Sequence, residues 1–282
     1  MIEYVYLNGD FIAKSKAKIS VLDRGFLFGD GIYEVIPVYQ QQPFRLQEHL
    51  TRLKLCLEQV SITNPYSDSQ WQQLISQLID KNQLNNTSIY IQVTRGIDMV
   101  RSHVGTAKIE PSVLIMTSPL ALDVADLNPI KAVLLDDNRW QHCNIKSIAL
   151  LGNVLLKQQA FILGFDEAIL HREQQVTEGA SSNVFMVKNK ELYTPEKSQW
   201  ILGGITRDLI IELAENASIK VHQCPITIER LFNADEVWLS SSSREISPVC
   251  QINDKIINQG DIGPIAKQIH SAFQEFKQAL TH

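Results

Sequence analysis

The amino-terminal part of the chain alternates apolar and polar residues in the way that extended strands do. The turn-forming tripeptide Asn8-Gly9-Asp10 separates two such runs, so a β-hairpin is predicted there. A longer apolar run, from Ile32 to Tyr39, follows a glycine-rich segment and predicts a further strand. The chain is therefore expected to begin with strands.

Apolar residues at helical spacing come next. Leucines at 46, 50, 53 and 57 share one helical face, and the apolar residues between Trp71 and Ile79 do the same, so two amphipathic helices are predicted. Strand-like runs return at Ser88 to Thr94 and at Val113 to Thr117. This order of elements predicts an N-terminal α+β domain over residues 1–117.

The stretch from Ser118 to Pro129 contains two prolines and has no sustained periodicity, which is typical of a connection between domains. We therefore predict an interdomain linker at 118–129 and a C-terminal α/β domain at 130–282. The strands predicted in this domain are Lys131 to Leu135, Glu167 to His171, Asn183 to Val187 and Glu236 to Ser240. The helices predicted in it are Leu150 to Leu163, Thr206 to Ala217 and Pro264 to Leu280.

Composition limits the classes of function. The 282 residues are 44% hydrophobic, which is enough for one large core or two moderate ones. The formal net charge is −5 and basic residues are scattered, so neither nucleic acid nor a membrane surface is an expected partner.

The start lacks the pattern of a secretory signal and no apolar stretch could span a bilayer, so we expect a cytoplasmic protein. The four cysteines stand far apart, so no metal site is expected.

Two residues could take part in carbonyl chemistry. Lys146 lies among apolar residues before the helix predicted from Leu150, and a lysine held neutral by burial can attack an aldehyde to form a Schiff base. Glu178 precedes a run of small residues that permits close approach of a flat ligand, and such a carboxylate could keep a pyridine nitrogen protonated. In isolation, the two are better interpreted as a surface lysine and an ordinary polar turn.

Two further segments offer contacts for a phosphate. Gly203 and Gly204 precede Thr206 at the start of a predicted helix, where backbone N–H groups and a hydroxyl can bind an anion. Threonine is also an ordinary helix cap, with or without a ligand. The serines at 240–243 follow a predicted strand and add hydroxyls, although they also fit a plain polar loop.

An arginine and a histidine occur close together at two places. Arg52 lies three residues after His49, so both share one face of the leucine-rich helix. Arg101 and His103 alternate with Ser102, which puts both cations on one side of an extended segment, where they could clamp a carboxylate. Solvated surface residues produce the same patterns, so these pairs alone do not decide a function.

In this order the motifs resemble those of the class IV, or fold-type IV, pyridoxal-phosphate-dependent aminotransferases. The resemblance covers nearly the whole chain and implies the two-domain α/β (α+β) fold of that family, with pyridoxal 5'-phosphate as cofactor and a homodimer or larger assembly whose active site lies near the subunit boundary. The segments that carry it are Asp23 to Val35, Glu48 to Leu53, Asn144 to Ser147, Glu178 to Asn183 and Gly204 to Arg207.

The resemblance implies a role for each matching residue. Lys146 would form the Schiff base with the cofactor and move the proton at the substrate α-carbon, and Glu178 would pair with the pyridine nitrogen. The phosphate would be held by Arg52, Ile205, Thr206 and Ser242. The other cofactor contacts that the resemblance implies are Ser181, Ser182, Asn183, Leu202, Gly204 and Ser241.

Within the family, Tyr33, Arg101 and His103 resemble the substrate-carboxylate site of D-amino acid aminotransferases. The implied reaction converts D-alanine and 2-oxoglutarate to pyruvate and D-glutamate. Arg101 lies five residues after Gly96, about one more than in the familiar pattern, so the orientation of its guanidinium, on which bidentate binding depends, stays open at this stage.

Three alternatives remain open on sequence alone. The chain could be an aminotransferase for branched-chain L-amino acids or amines, which would not need the pair Arg101 and His103. It could be an aminodeoxychorismate lyase that uses the same Lys146 but releases pyruvate. It could also bind a phosphate-bearing cofactor without turnover.

Overall fold

A computed structural model of the chain describes residues 3–106, 108–120 and 127–280. These residues divide into two units with separate apolar cores. The first unit comprises the described residues of Met1–Leu120 together with Ile145–Leu150. The second comprises those of Ala121–Asn144 and Leu151–Leu280.

The first unit is an antiparallel sheet covered by two long helices. Its strands run in the order β2-β1-β6-β5-β3-β4. In chain order its elements are β1 (Tyr4–Leu7), β2 (Asp10–Ala13), a 3-10 turn (Lys14–Lys16), α1 (Arg24–Phe28), β3 (Gly31–Tyr39), β4 (Gln42–Pro43), α2 (Leu46–Gln59), α3 (Asp68–Asn82), β5 (Thr87–Thr94) and β6 (Ser112–Ser118). The predicted hairpin, both predicted helices and the later strands of this unit are confirmed.

The core of the first unit lies between the sheet and α2 and α3. Leu53 of α2 and Trp71 of α3 are fully buried in one cluster with Ile36 and Ile91 of the central strands. Ser67 caps α3, since its side chain accepts a hydrogen bond from the Gln70 N–H. This packing fixes α2 against β3 and so sets the positions of the polar residues that the two elements carry.

The second unit is a mixed nine-stranded sheet in the order β12-β11-β10-β13-β14-β7-β8-β9, with β15 paired to β14. Parallel pairs join β7 to β8, β7 to β14, and β11 to β12. Its elements are β7 (Ile130–Asp136), α4 (Leu151–Ile162), β8 (Glu167–Arg172), β9 (Gln175–Gly179), β10 (Asn183–Lys188), β11 (Glu191–Thr194), α5 (Ile205–Asn216), β12 (Val221–Gln223), α6 (Ile228–Phe232), β13 (Glu236–Ser241), β14 (Glu245–Ile252), β15 (Lys255–Ile256), a 3-10 turn (Asn258–Gly260) and α7 (Pro264–Ala279).

The four strands and three helices predicted for the second half are all present. The sequence did not predict five strands, namely β9, β11, β12, β14 and β15. These strands are short or buried on both faces, so they lack a clear alternation of apolar and polar residues. None of the described helices is both long enough and apolar enough to cross a membrane.

One feature of the predicted domain organisation differs from the structure. The prediction placed Lys146 in the C-terminal domain, whereas residues 145–150 pack with the first unit. The reason is hydrogen bonding beside β3, because the Tyr33 N–H donates to the Lys146 carbonyl and the Ile148 N–H donates to the Gly31 carbonyl, each at 3.0 Å. The predicted linker at 118–129 falls partly on residues 121–126, outside the described residues.

Candidate active site

Lys146 is held by its backbone beside β3. Its carbonyl accepts from the Tyr33 N–H at 3.0 Å, and its own N–H donates to Cys56 Sγ at 3.4 Å. The side chain is half-buried, and Nζ lies 4.2 Å from the centroid of the Tyr33 ring. The amine is therefore positioned against an aromatic face by a short segment that cannot shift without breaking these bonds.

Tyr33 is itself supported by a neighbouring strand. Its ring stacks on that of Tyr90, with centroids 5.7 Å apart and planes at 28°, because Tyr33 and Tyr90 lie close across the β3–β5 ladder. Burial raises the pKa of Tyr90 to about 12. The Tyr33 ring thus contacts both the Tyr90 ring and the amine of Lys146.

Glu34, next to Tyr33 on β3, is a buried carboxylate that binds Arg52 and His49 of α2. Arg52 donates to its two oxygens from Nε at 2.7 Å and from Nη2 at 2.8 Å, and His49 Nδ1 lies 2.8 Å from Oε2. Burial by itself would raise the pKa of Glu34, but Arg52 and His49 outweigh it and hold that pKa well below the usual range. Burial lowers the pKa of His49. The predicted shared face of His49 and Arg52 is therefore confirmed, and its partner is Glu34.

Arg101 and His103, the cations predicted to bind a carboxylate, lie on one aromatic ring. The guanidinium carbon of Arg101 is 5.0 Å from the centroid of the Phe28 ring, and the His103 ring centroid is 5.4 Å from it. Both side chains are exposed. No hydrogen bond or ring contact within the described part of the chain joins either of them to Tyr33. The folded chain brings the two cations together, but not all three predicted residues.

In the second unit, Glu178 lies on β9 with its carboxylate buried. Arg139 Nη1 donates to Oε1 at 2.8 Å, and the Leu202 N–H and Asn183 Nδ2 donate to Oε2 at 2.9 and 3.4 Å. Burial raises the pKa of Glu178 to about 7, although Arg139 and the Leu202 N–H lower it. A carboxylate with a pKa near neutrality gains or loses its proton according to the group that faces it.

The amino-terminal end of α5 offers backbone donors. Gly204 is the N-cap, and no side chain among the described residues caps this helix, so its first N–H groups are available to an anion. Ile205 and Thr206 follow, both buried. A Cβ on Gly204 would lie 2.1 Å from Asn183 Oδ1, so a larger residue here would displace the Asn183 amide.

The predicted serines lie at two turns of the same unit. Ser181 and Ser182 connect β9 to β10, and Ser182 Oγ is buried without a hydrogen-bond partner among the described residues. A buried hydroxyl in this state is open to a ligand. Ser241 ends β13 and accepts from the Arg244 N–H at 3.2 Å, while Ser242 follows in the turn.

Arg139 is a functional candidate that sequence reasoning missed. It donates to Asp137 from Nε and Nη2, each at 2.9 Å, and so links Asp137 to Glu178. Asp137 also accepts from Arg172 and from the Thr177 hydroxyl. Burial would raise the pKa of Asp137, but Arg139 and Arg172 outweigh it and lower that pKa to about 2.

Sequence signals for the missed residues were present but weak. Asp137 and Arg139 come directly after the strand predicted at Lys131 to Leu135, where charged residues are common at any strand end. Glu34 is the one carboxylate inside the apolar run from Ile32 to Tyr39. An acidic residue in a strand that is otherwise apolar indicates a buried ion pair, because an unpaired buried charge is strongly destabilising.

The groups present fit pyridoxal phosphate in each unit taken by itself. An aldehyde can be held by the amine of Lys146, which the first unit presents against Tyr33. A basic ring nitrogen can pair with the buried carboxylate of Glu178. A phosphate can be bound by the uncapped N-terminus of α5 with Thr206. The unsatisfied hydroxyl of Ser182 is a further contact.

Comparisons with known proteins agree with this chemistry. The family model described as Amino-transferase class IV matches residues 31–252. This chain belongs to the class IV aminotransferases. The D-alanine aminotransferase of Staphylococcus aureus (strain N315) is 39% identical to it over 276 residues, which cover 98% of each chain. That of Bacillus licheniformis is 37% identical over 271 residues, or 96% of this chain and 95% of the relative.

Solved structures similar to this aminotransferase include branched-chain enzymes. The branched-chain amino acid aminotransferase of Escherichia coli has a TM-score of 0.92 and 28% identity, over 98% of this chain and 94% of that one. The T.th. branched-chain enzyme complexed with N-(5'-phosphopyridoxyl)-L-glutamate has a TM-score of 0.90 and 25% identity, over 100% of this chain and 95% of that one. The chain is a pyridoxal 5'-phosphate-dependent aminotransferase of fold type IV, as its motifs predicted.

Glu178 should make the stability of the cofactor-free aminotransferase depend on pH. Its pKa is about 7 in the folded protein against an ordinary 4.5, so its contribution is complete below pH 4.5 and is lost as pH rises through 7. Between pH 5 and pH 8, the free energy of unfolding of Glu178→Gln should therefore rise relative to the parent by about 2.5 kcal/mol. Urea titrations at the two pH values measure this difference. The exposed Glu173→Gln serves as control, and a pH-independent difference for Glu178→Gln would contradict the raised pKa.

Proposed function

We propose that this aminotransferase transfers the amino group of D-amino acids, with D-alanine and 2-oxoglutarate giving pyruvate and D-glutamate. The observation that carries the proposal is the pair Arg101 and His103 on the Phe28 ring, since a guanidinium beside an imidazole N–H donor suits the α-carboxylate that both substrates share. The 39% identity to a D-alanine aminotransferase over nearly the full length supports it.

Lys146 is the proposed catalytic residue. It would hold the cofactor through Nζ and then move a proton to and from the substrate α-carbon, a contribution of typically about 10²- to 10⁴-fold to the rate. The bonds from Tyr33 and to Cys56 support this role, because they fix the backbone from which the amine projects. Pyridoxal phosphate, when bound, supplies the electron sink that stabilises negative charge at that carbon.

Glu178 would face the ring nitrogen of the cofactor and keep it protonated. A cation there would favour the ionised carboxylate, since an adjacent positive charge lowers a carboxyl pKa. Asn183 and the Leu202 N–H would orient Glu178 through their hydrogen bonds to Oε2. Arg139 would orient it through its hydrogen bond to Oε1. Proposed further contacts with the cofactor are Ser181, Ser182, Gly204, Ser241 and Leu202 itself.

Residues from two distant parts of the sequence would hold the phosphate. Arg52 would contribute a guanidinium whose orientation Glu34 fixes through two hydrogen bonds. Ile205 and Thr206 would contribute N–H groups at the start of α5, and Ser242 a hydroxyl. A guanidinium already held by two hydrogen bonds loses little further conformational entropy when an anion binds, which favours tight binding of the phosphate.

A homodimer would complete the substrate site. Within the described residues Tyr33 makes no hydrogen bond or ring contact with Arg101 or His103, so we infer that these two residues serve a second copy. The outer face of α4 supports association, since it exposes an apolar stripe that includes Leu151, 71% exposed, Leu155 and Ile162, 82% exposed. Such a stripe on a helix is typical of a subunit interface.

Lys146→Ala should abolish covalent retention of the cofactor. We expect the purified parent to be yellow and to retain the cofactor covalently after borohydride reduction, because the amine of Lys146 holds it. The variant should show neither property, as measured by absorbance and by the mass of the reduced protein. Lys157→Ala, on α4, is the control and should behave like the parent. A borohydride-stable adduct in Lys146→Ala would remove this residue from its proposed role.

Stereochemistry separates the proposed function from its alternatives. D-alanine with 2-oxoglutarate should give pyruvate and D-glutamate at a rate at least about tenfold above that with L-alanine or L-leucine, since misplacing a charge-assisted contact costs roughly 1.5–3 kcal/mol. Chiral product analysis with a panel of D- and L-donors measures this. Faster turnover of L-leucine would favour the branched-chain activity named for the similar solved structures, and pyruvate released without any amino acceptor would indicate a lyase.

The proposed dimer can be tested at α4. Leu155→Glu combined with Ile162→Glu should shift the mass measured by light scattering from dimer to monomer, because two buried charges are strongly unfavourable at an apolar interface. Leu55→Glu, at an exposed leucine of α2, is the control and should leave the mass unchanged. A parent protein that is monomeric at micromolar concentration would rule out the dimer.

A further inference from the structure

Arg24, the first residue of α1, is a buried arginine that none of the roles above uses. Its Nη1 donates to the Ser102 carbonyl at 2.5 Å, its Nη2 to the His103 carbonyl at 3.0 Å, and its Nε to Asp30 Oδ2 at 2.9 Å. The side chain is only 5% exposed. One planar group therefore binds the two peptide carbonyls that flank the His103 α-carbon.

The rest of this loop has few other anchors. In the described residues 99–105, the backbone groups with a hydrogen-bond partner are the Met99 N–H and the two carbonyls bound by Arg24. Met99, Val104 and the cations Arg101 and His103 are exposed. The position of the middle of the loop thus depends on Arg24, because no ladder or helix holds it.

Asp98 ties together the two ends of the loop. Its carboxylate accepts from the Met99 N–H at 2.8 Å and from the Thr106 N–H at 3.1 Å, and it lies 3.9 Å from Arg24. Burial raises the pKa of Asp98, but the Thr106 and Met99 N–H groups and Arg24 more than offset this, so the pKa lies below its usual range. The segment with the extra residue before Arg101 is therefore a closed turn around Asp98 and Arg24.

Phe28 joins the buried arginine to the exposed cations. The guanidinium carbon of Arg24 lies 4.9 Å from the ring centroid, and Arg101 and His103 contact the same ring. A change at Arg24 would therefore move both the backbone that carries the two cations and the ring on which they rest.

We propose that Arg24 is a positioning residue for substrate binding, which holds the 98–106 loop so that Arg101 and His103 face the substrate carboxylate together. This inference rests on the carboxylate-binding role proposed for those two residues. It adds a residue that touches neither substrate nor cofactor but determines how well the α-carboxylate is bound.

Arg24→Lys tests the proposal, since a lysine keeps the charge but a single ammonium cannot reproduce the fork that binds two carbonyls and Asp30. KM for D-alanine and for 2-oxoglutarate should rise roughly tenfold or more, with kcat and cofactor retention close to those of the parent. Adding Arg24→Lys to Arg101→Ala should change KM little further, because both act on one contact.

Arg95→Lys is the matched control. Arg95 also binds Asp30, and it donates to the carbonyls of Val60 and Ser61 outside the loop. The control should lower thermal stability but leave KM within about twofold of the parent. If Arg24→Lys does not fold, Phe28→Leu replaces it, with the same expected rise in KM.

The outcomes are distinguishable. In one outcome, the parent enzyme transaminates D-alanine while KM stays unchanged in Arg24→Lys or in Phe28→Leu. That result would overturn the role of Arg24 and leave the proposed function intact. Equal rises of KM in Arg24→Lys and Arg95→Lys would also overturn it, since both would then reflect general destabilisation. A parent enzyme without activity on D-amino acids would instead refute the proposed function on which the inference rests.

Discussion

Charges that fold into the interior have to be paired, and this requirement organises the polar residues of both units. Glu34 binds Arg52, Arg139 binds Asp137 and Glu178, and Arg24 binds Asp30. Removal of one partner leaves the other charge buried and uncompensated, which costs far more than the pair contributes. Such pairs therefore hold their members in fixed orientations. A functional side chain that is part of a buried ion pair is fixed in the same way.

The same requirement explains why neighbouring carboxylates differ. Asp137 and Glu178 share Arg139, yet the pKa of Asp137 is lowered to about 2 and that of Glu178 is raised to about 7. Asp137 also binds Arg172 and the Thr177 hydroxyl, whereas Glu178 has neutral amide donors besides Arg139. Asp137 is therefore charged at neutral pH, whereas Glu178 keeps a proton equilibrium that a ligand can shift.

The fold of this chain is shared by aminotransferases whose names give different substrates. Branched-chain enzymes at 25–28% identity share the fold of this chain with TM-scores of 0.90 and above, whereas the D-alanine aminotransferases at 37–39% identity are similar in sequence over nearly their full length. A shared scaffold leaves the substrate open, because specificity depends on a few side chains in loops. In this chain residues 97–106 form one such loop, and its exposed Arg101 and His103 contact the Phe28 ring, which also contacts the buried Arg24.

The sequence by itself determined the main helices and strands, since apolar periodicity is a local property. Motifs of a few residues each also predicted roles for Lys146, Glu178 and the start of α5. The sequence did not reveal Glu34 as the partner of Arg52, or Arg139 as the partner of Glu178. Arg52 binds a residue 18 positions away, Arg139 one 39 positions away, and Arg24 a carbonyl 78 positions away. Only the tertiary structure decided these pairings, because a buried charge takes whichever partner the packing of distant strands and helices brings within hydrogen-bonding distance.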